Sequence, residues 1–330
     1  MKTGRDPEIS IVLPVFNEAE NLEELRRELA AALEKTGRSF EVILVDDGST
    51  DSSWEVLRGL QKKDGRFKLI RLRRNFGQTA ALSAGFDRAR GDIIISLDAD
   101  LQNDPNDIPL LIRKIEEGYD IVSGWRKNRK DRFLTRRVPS IMANRLISGL
   151  TGVRLHDYGC TLKAFRSEVI KNVKLYGELH RFIPAIASQL GVEIAEVGVN
   201  HRPRKHGKSK YSIARLPKVI LDLLTVKFLL SYSTRPLQIF GLLGLGSFVA
   251  GLVISIWLSV QRLFFGVSLA NRPLLLLGAI LIIIGFQFIM LGLLAEIMVR
   301  TYHESSGKTI YVVREVVDSD EESGTPTTSR

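Results

Sequence analysis

Residues 93–105 read IIISLDADLQNDP. An apolar run of this length, closed by polar residues, is the signal of a buried strand. It ends on Asp98, Asp100 and Asp104, with Gln102 among them. Carboxylates this close repel one another, and burying them uncompensated is costly, so a positive partner is expected there. In a parallel sheet, ligands sit at the carboxyl ends of strands. The stretch therefore predicts a strand that delivers acidic side chains to a binding rim.

The flanking sequence supports a parallel sheet. Residues 9–15 (ISIVLPV), 40–47 (FEVILVDD), 67–72 (FKLIRL), 92–98 (DIIISLD) and 120–125 (DIVSGW) read as strands. Between them, residues 21–35 carry leucine at 22, 25, 29 and 33, a helical spacing. Residues 77–89 and 106–118 read as two further helices, and Asp51 or Ser52 can cap another that follows them, Ser52 standing three residues before Glu55 at capping-box spacing. Alternating strand and helix predicts an α/β, Rossmann-like, mainly parallel sheet with helices on both faces.

Composition sets the next limits. The chain has 330 residues and a formal net charge of +10, which suits phosphorylated ligands, an anionic membrane surface or nucleic acid. A single cysteine, Cys160, excludes an intramolecular disulfide. The first ten residues, MKTGRDPEIS, hold no apolar core of a secretory signal. Residues 236–260 carry no charge, and residues 273–297 carry only Glu296. As helices, 25 residues span about 37 Å, against about 30 Å of hydrocarbon, so two transmembrane helices are expected at 236–260 and 273–299. Lys218, Lys227 and Arg235 precede the first and Arg300 follows the second, while the loop between holds Arg262 and Arg272. The positive-inside rule then places residues 1–212, an interfacial amphipathic helix at 213–235 and the tail 300–330 in the cytoplasm. The tail contains an expected strand at 308–317, without a hairpin mate, and a polar, disordered end. A lone strand needs a partner, either a sheet edge or a second copy, so a homo-oligomer is expected.

Asp98 and Asp100 lie two apart, so in an extended segment they face the same way. With Gln102 they form an oxygen set suited to Mg2+ or Mn2+, ions that bind few carboxylates and complete their shell with substrate phosphates. Asp46 and Asp47 end the neighbouring strand and can accept hydrogen bonds from a ribose or a base. Pro14, Asn17 and Glu18 close the first strand on the same rim. No phosphate-binding glycine motif is present. Residues 126–137 hold seven Lys/Arg and one Asp, and 201–211 (HRPRKHGKSKY) form a second basic run. Arg202, Arg204, Lys208 and Lys210 are candidates for a phosphate-gripping lid rather than a nucleic-acid surface.

Together PVFNEAENL, VDDGSTD, RNFGQTAAL, DADLQNDP and HDYGCTLKAFR resemble, in order and spacing, the family-2 inverting glycosyltransferases of the GT-A fold. The similarity is to the dolichyl-phosphate mannosyltransferase-like branch, which includes bactoprenol glucosyltransferases with two C-terminal spans. The resemblance implies that Pro14, Glu18 and Asp47 hold the nucleoside, and that Asp98, Asp100 and Gln102 bind the metal and the diphosphate. It implies that Asp157 is the catalytic base and that Arg126, Arg136 and Arg137 lie near the acceptor phosphate. The expected activity is transfer of one sugar from a nucleotide sugar, UDP-glucose foremost, to undecaprenyl or dolichyl phosphate. GDP-mannose as donor, or an inactive scaffold of the same fold, are the alternatives. The QxxRW motif of processive synthases is missing, which implies one sugar per cycle.

Overall fold

The computed structural model describes residues 6–127, 147–149, 152–175, 179–203, 236–266, 268, 272–305 and 309–318. Arg136, Arg137, Arg204, Lys208, Lys210 and the expected interfacial helix at 213–235 lie outside these residues. The chain divides into two units, Met1–Val226 with Thr309–Arg330, and Lys227–Lys308.

The first unit is built on one eight-stranded sheet. Along the chain come β1 (Ile9–Val15), α1 (Leu22–Glu34), β2 (Phe40–Asp46), α2 (Ser53–Lys63), β3 (Phe67–Leu72), α3 (Gln78–Arg88) and β4 (Ile93–Ser96). A 3-10 turn, Pro105–Asp107, leads into α4 (Ile108–Glu116) and β5 (Ile121–Trp125). Then follow β6 (Lys163–Arg166), α5 (Ser167–Ile170), α6 (Ile183–Ala187) and β7 (Ile194–Gly198). The second unit holds α7 (Pro236–Phe265) and α8 (Pro273–Ser305), and β8 (Val313–Val317) returns to the sheet. The strand order is β7-β5-β6-β4-β1-β2-β3-β8.

Strands β1 to β5 lie where periodicity put them, and β1, β2, β3 and β4 pair in parallel. Two strands run against the rest. β6 is inserted antiparallel between β4 and β5. Its four residues, KAFR, are too short for a readable alternation, and its pairing with β4 bridges some 70 residues of chain. β8 pairs antiparallel with β3. The tail strand thus finds its mate in its own sheet, which removes that reason for expecting a second copy. Tyr311 Oη donates to Asp87 Oδ2 at 2.7 Å and Lys68 Nζ lies 3.2 Å from Asp318, reinforcing the same edge.

The two sheet faces are packed differently. Ile9, Ile11, Leu13 and Val15 point into a cluster with Leu22, Leu25, Leu29 and Leu33 of α1, Leu57 of α2 and Leu111 of α4. Each such leucine contributes about 1.5–3 kcal/mol by leaving water. On the other face α3 comes so close that a β carbon on Gly85 would lie 2.2 Å from Val12 Cγ1. The helix before this contact is rich in alanine for the same reason. Of the two expected caps of α2, Asp51 serves: Ser52 makes no side-chain cap, and the first amide of the helix, Ser53 N–H, donates to Asp51 Oδ1 at 3.0 Å.

α7 and α8 contain apolar stretches, Phe240–Phe265 and Pro273–Ala295, long enough to cross a membrane. Both helices outrun the expected spans, ending at Phe265 and Ser305. They pack through glycines. A β carbon on Gly285 would lie 2.6 Å from the Gly244 carbonyl oxygen, and one on Gly251 2.7 Å from the Gly278 carbonyl. Since the obstructing atoms are backbone, the helices must part to admit a side chain. Gly285→Val is expected to destabilise the pair by about 1–3 kcal/mol, read as a lowered Tm of the detergent-purified protein. An unchanged Tm would mean the helices are not packed there.

Candidate active site

The parallel register brings the ends of β1, β2 and β4 to one rim: Val15 pairs with Asp46 and Val12 with Ser96. The next residues of each strand are therefore neighbours. Asn17 adopts φ 55°, and its Oδ1 accepts from Thr50 N at 2.8 Å while its own N–H donates to Ser49 Oγ at 3.0 Å. Glu18 N–H donates to Ser53 Oγ at 2.9 Å, and Glu18 Oε2 accepts from Asn21 Nδ2 at 2.6 Å. Pro14 sits half-buried in β1 opposite Val45. Asn17 and Glu18 bond to the segment after β2 and tie the two loops into one surface.

The paired aspartates Asp46 and Asp47 separate in role. Asp46 is fully buried; its Oδ1 accepts from Ser49 N at 2.9 Å and its Oδ2 lies 3.3 Å from Arg71 Nε. Strand alternation turns it inward, where it holds the turn and a strand-borne arginine. Asp47 grips the neighbouring loop, accepting from Phe76 N at 2.7 Å and Gly77 N at 2.9 Å. Burial, together with the charge of Asp46, raises its pKa despite those two amides.

Beyond β4, Asp98 Oδ1 accepts from Gln78 Nε2 at 2.7 Å, and Asp100 Oδ1 from Gln102 N at 3.2 Å. Leu101 between them takes φ 61°. A left-handed conformation costs a bulky residue energy and persists where its surroundings impose it. Burial first, and the neighbouring charge of Asp100 second, push the Asp98 pKa up to about 6. Among the described residues no group of three or more His, Cys, Asp or Glu side chains converges on one point. The pair Asp98 and Asp100 nevertheless fits a hard divalent ion that takes two carboxylates and draws its other oxygens from phosphates and water. Gln102 uses its carbonyl to accept from Arg202 N at 2.9 Å.

Asp157 is held by an arginine whose charge also acts on Asp98. It is buried and held by Arg126 in a two-pronged pair, Nε–Oδ2 2.7 Å and Nη2–Oδ1 2.9 Å. Gly159 N–H adds a third bond at 3.1 Å. The backbone amides of His156 and Asp157 both donate to Glu196 of β7, which also pairs with the His156 ring. That ring stacks on Trp125 at 4.3 Å between centroids. The loop is thus fixed from two strands. Its carboxylate is paired with an arginine, and the pair acts as one unit at the end of β5. Arg202 is paired as well. Its guanidinium lies 2.6 Å from Glu28 and 2.8 Å from Asp104, so two carboxylates already neutralise it.

Two residues escaped the sequence reading. Lys163, on β6, is buried, and its Nζ donates to the Tyr158 and Cys160 carbonyls. Burial lowers its pKa. The signal was a lysine inside the apolar run TLKAF. His180 is buried, with Nδ1 2.8 Å from Thr79 Oγ1. Burial, aided by Arg181 and Lys163, pulls its pKa from 6.5 down to about 3. No sequence signal marks one histidine in LHRF. Cys160 is a buried free thiol, as expected.

Residues 10–174 match the family described as Glycosyl transferase family 2. The chain is 45% identical over 315 residues to the dodecaprenyl-phosphate galacturonate synthase of Rhizobium johnstonii, covering 94% of this chain and 93% of that protein. The chain belongs to glycosyltransferase family 2. The transferase is also 40% identical over 311 residues to the undecaprenyl-phosphate 4-deoxy-4-formamido-L-arabinose transferase of Pseudomonas paraeruginosa, covering 94% and 90%. Its fold resembles that of glucosyl-3-phosphoglycerate synthase from Mycobacterium tuberculosis, solved with Mn2+, UDP and glucosyl-3-phosphoglycerate. There the TM-score is 0.53 at 19% identity, over 68% of this chain and 79% of the other.

The pKa of His180 has a measurable consequence in this transferase. Between pH 6.5 and about 3 the unfolded histidine takes up a proton that the folded one refuses. The unfolded state then binds more protons, so this residue's contribution to stability is full above 6.5 and is lost as pH falls. The slope approaches about 1.4 kcal/mol per pH unit. Asp98, with its raised pKa, works in the opposite direction, so the measurement is the difference between wild type and His180→Asn. The variant is expected to lose less stability from pH 6.5 to 4.5 in denaturant titrations. Parallel curves would overturn the assignment of a neutral, buried imidazole.

Proposed function

We propose that this transferase moves a single sugar from a nucleotide diphosphate donor to a polyprenyl phosphate, inverting the anomeric centre, while anchored in the membrane by α7 and α8. What carries the reading is that similarity to transferases named for dodecaprenyl and undecaprenyl phosphate covers 94% of the chain. That span leaves no room to confine the likeness to residues 10–174, the family-2 region. A polyprenyl acceptor keeps its tail in the bilayer, which explains why an enzyme with a water-soluble donor would carry two apolar helices.

Asp98 and Asp100 would hold Mg2+ or Mn2+, with Gln102 beside them; when bound, the ion offsets the charge that develops on the departing diphosphate. Pro14, Asn17, Glu18 and Asp47 build the surface that meets the nucleoside. A phosphate oxygen of the acceptor forms the new bond to the sugar's anomeric carbon as the bond to the nucleotide diphosphate breaks. A phosphate monoester is already largely ionised at neutral pH, so no side chain has to remove a proton from it. This agrees with Asp157 being engaged by Arg126. The role of that pair is to present a fixed, half-buried guanidinium to an anionic group. Of the basic runs, Arg136, Arg137, Arg204, Lys208 and Lys210 remain candidates for holding the acceptor head group.

UDP-glucose is one arm of the donor panel; UDP-galacturonate, a formamido-arabinose nucleotide and GDP-mannose are the others. Transfer of labelled sugar to polyprenyl phosphate in detergent tests the reading, and failure with every donor would overturn it. The catalytic unit and both termini are assigned to the cytoplasm. Cysteine introduced at position 268 should be labelled from outside intact cells and cysteine at 320 should not. Labelling at 320 alone would reverse the orientation.

A further inference from the structure

Residues 156–161 belong to no helix or strand, yet side chains from three strands hold their backbone. We propose that Glu196 of β7 is a positioning residue for the acceptor phosphate. It fixes the backbone that carries Asp157, and through Asp157 it aims the Arg126 guanidinium at that phosphate. The role rests on the polyprenyl-phosphate reading above and names the residue that sets the direction of its arginine.

The sheet register places the supports. Ser96 pairs with Lys163, Lys163 with Ser123, and Ser123 with Glu196. Residues paired across strands share a face, so these four polar side chains form one row over β4, β6, β5 and β7. The 156–161 segment lies along that row. Ser96 Oγ donates to the Thr161 carbonyl at 2.8 Å, and Lys163 Nζ donates to the Cys160 and Tyr158 carbonyls. At the other end, the His156 and Asp157 amides donate to Glu196 Oε1 at 2.9 and 3.0 Å. Glu196 Oε2 lies 2.7 Å from His156 Nδ1.

A cation therefore grips carbonyls of the segment, and a carboxylate grips its first two amides. Such charge-assisted bonds are stronger than neutral ones. Arg126 directly follows β5, the strand between β7 and β6. The Asp157 fork that holds it is thus anchored to both flanking strands. A two-pronged arginine–carboxylate pair fixes direction as well as charge. If the amide end of the segment loosens, the fork and the guanidinium move with it, and a shift of about 1 Å is enough to spoil alignment with a reacting group.

The test is transfer kinetics of the full-length protein in detergent with undecaprenyl phosphate and the labelled donor that wild type uses best. Calorimetric binding of UDP and GDP and a thermal melt accompany it. Glu196→Ala is expected to raise the apparent KM for undecaprenyl phosphate roughly 5- to 30-fold, the range of one hydrogen bond between neutral and charged partners. Affinity for the nucleoside diphosphate should change less than about twofold on that same scale. Glu196→Gln keeps the length and an oxygen that accepts from both amides, so it should recover most of the loss. Glu196→Asp keeps the charge but is one methylene short, so it should not. The order of these two variants decides the role even where Glu196→Ala fails to fold. Asp outperforming Gln would mean that the residue acts by charge, which overturns the proposal. So would a nucleoside diphosphate affinity that falls as far as that of the lipid, a loss confined to kcat, or a lowered Tm with KM unmoved. If wild type transfers sugar to undecaprenyl phosphate from no donor, the reading of the function falls; an active wild type with unmoved variants removes only the role of Glu196.

Discussion

Asp98→Ala and Asp100→Ala will each lower the rate of sugar transfer by roughly two to four orders of magnitude, because the charge growing on the leaving diphosphate loses several kcal/mol of offset. The same substitutions will leave thermal stability in metal-free buffer unchanged or raise it. Asp98 and Asp100 are like charges whose repulsion, added to burial, already drives the Asp98 pKa upward. Removing one charge relieves the other. A residue whose role is structural would show the reverse pattern, with stability and activity falling together. The measurements are label transfer to polyprenyl phosphate and a thermal melt in EDTA. In wild type, EDTA should abolish transfer reversibly. Full transfer in EDTA, or full transfer by either variant, would defeat the metal assignment.

The second large effect concerns Arg126 and Asp157. Their side chains are 14% and 4% exposed and meet through two short bonds. Arg126→Met strands a buried carboxylate, and the cost of breaking such a pair is about 3–5 kcal/mol. Asp157→Leu strands the arginine at a similar cost. The double variant removes both charges and should recover most of the stability, since apolar replacement of a buried pair is often close to neutral. Transfer activity separates the roles. It should stay lost in the double variant, because the fixed guanidinium is gone whether or not the fold is sound. Urea unfolding and transfer assays on the three variants decide it. A double variant that regains activity along with stability would make the pair a structural strut only.

Much of this was readable in the amino-acid order. Leucines at 22, 25, 29 and 33 have one spacing that buries them together, and α1 follows. The apolar runs 236–260, without a charge, and 273–297, with only Glu296, admit few structures other than long apolar helices, and α7 and α8 occupy them. DADLQ ending a strand located the candidate metal pair, because parallel strands carry their ligands at one end. Each of these rests on local periodicity or on side chains a few residues apart, where chain connectivity alone fixes the neighbours.

What tertiary structure decided are the partners. Asp46 and Asp47 are adjacent and chemically identical, yet one is sealed inside against Arg71 and the other clamps the loop at Phe76 and Gly77. Strand alternation allows that split but does not say which face is open. The partner of the Asp157 carboxylate is Arg126, 31 residues away in the chain. The partner of the Arg202 guanidinium is Glu28, 174 residues away in the chain. β6 took its place between β4 and β5, and Lys163 and His180 entered the site, through pairings whose loop-closure cost leaves no local trace. An ionisable side chain's role depends on the charge opposite it and on the water it has lost, and both are set by residues distant in the chain.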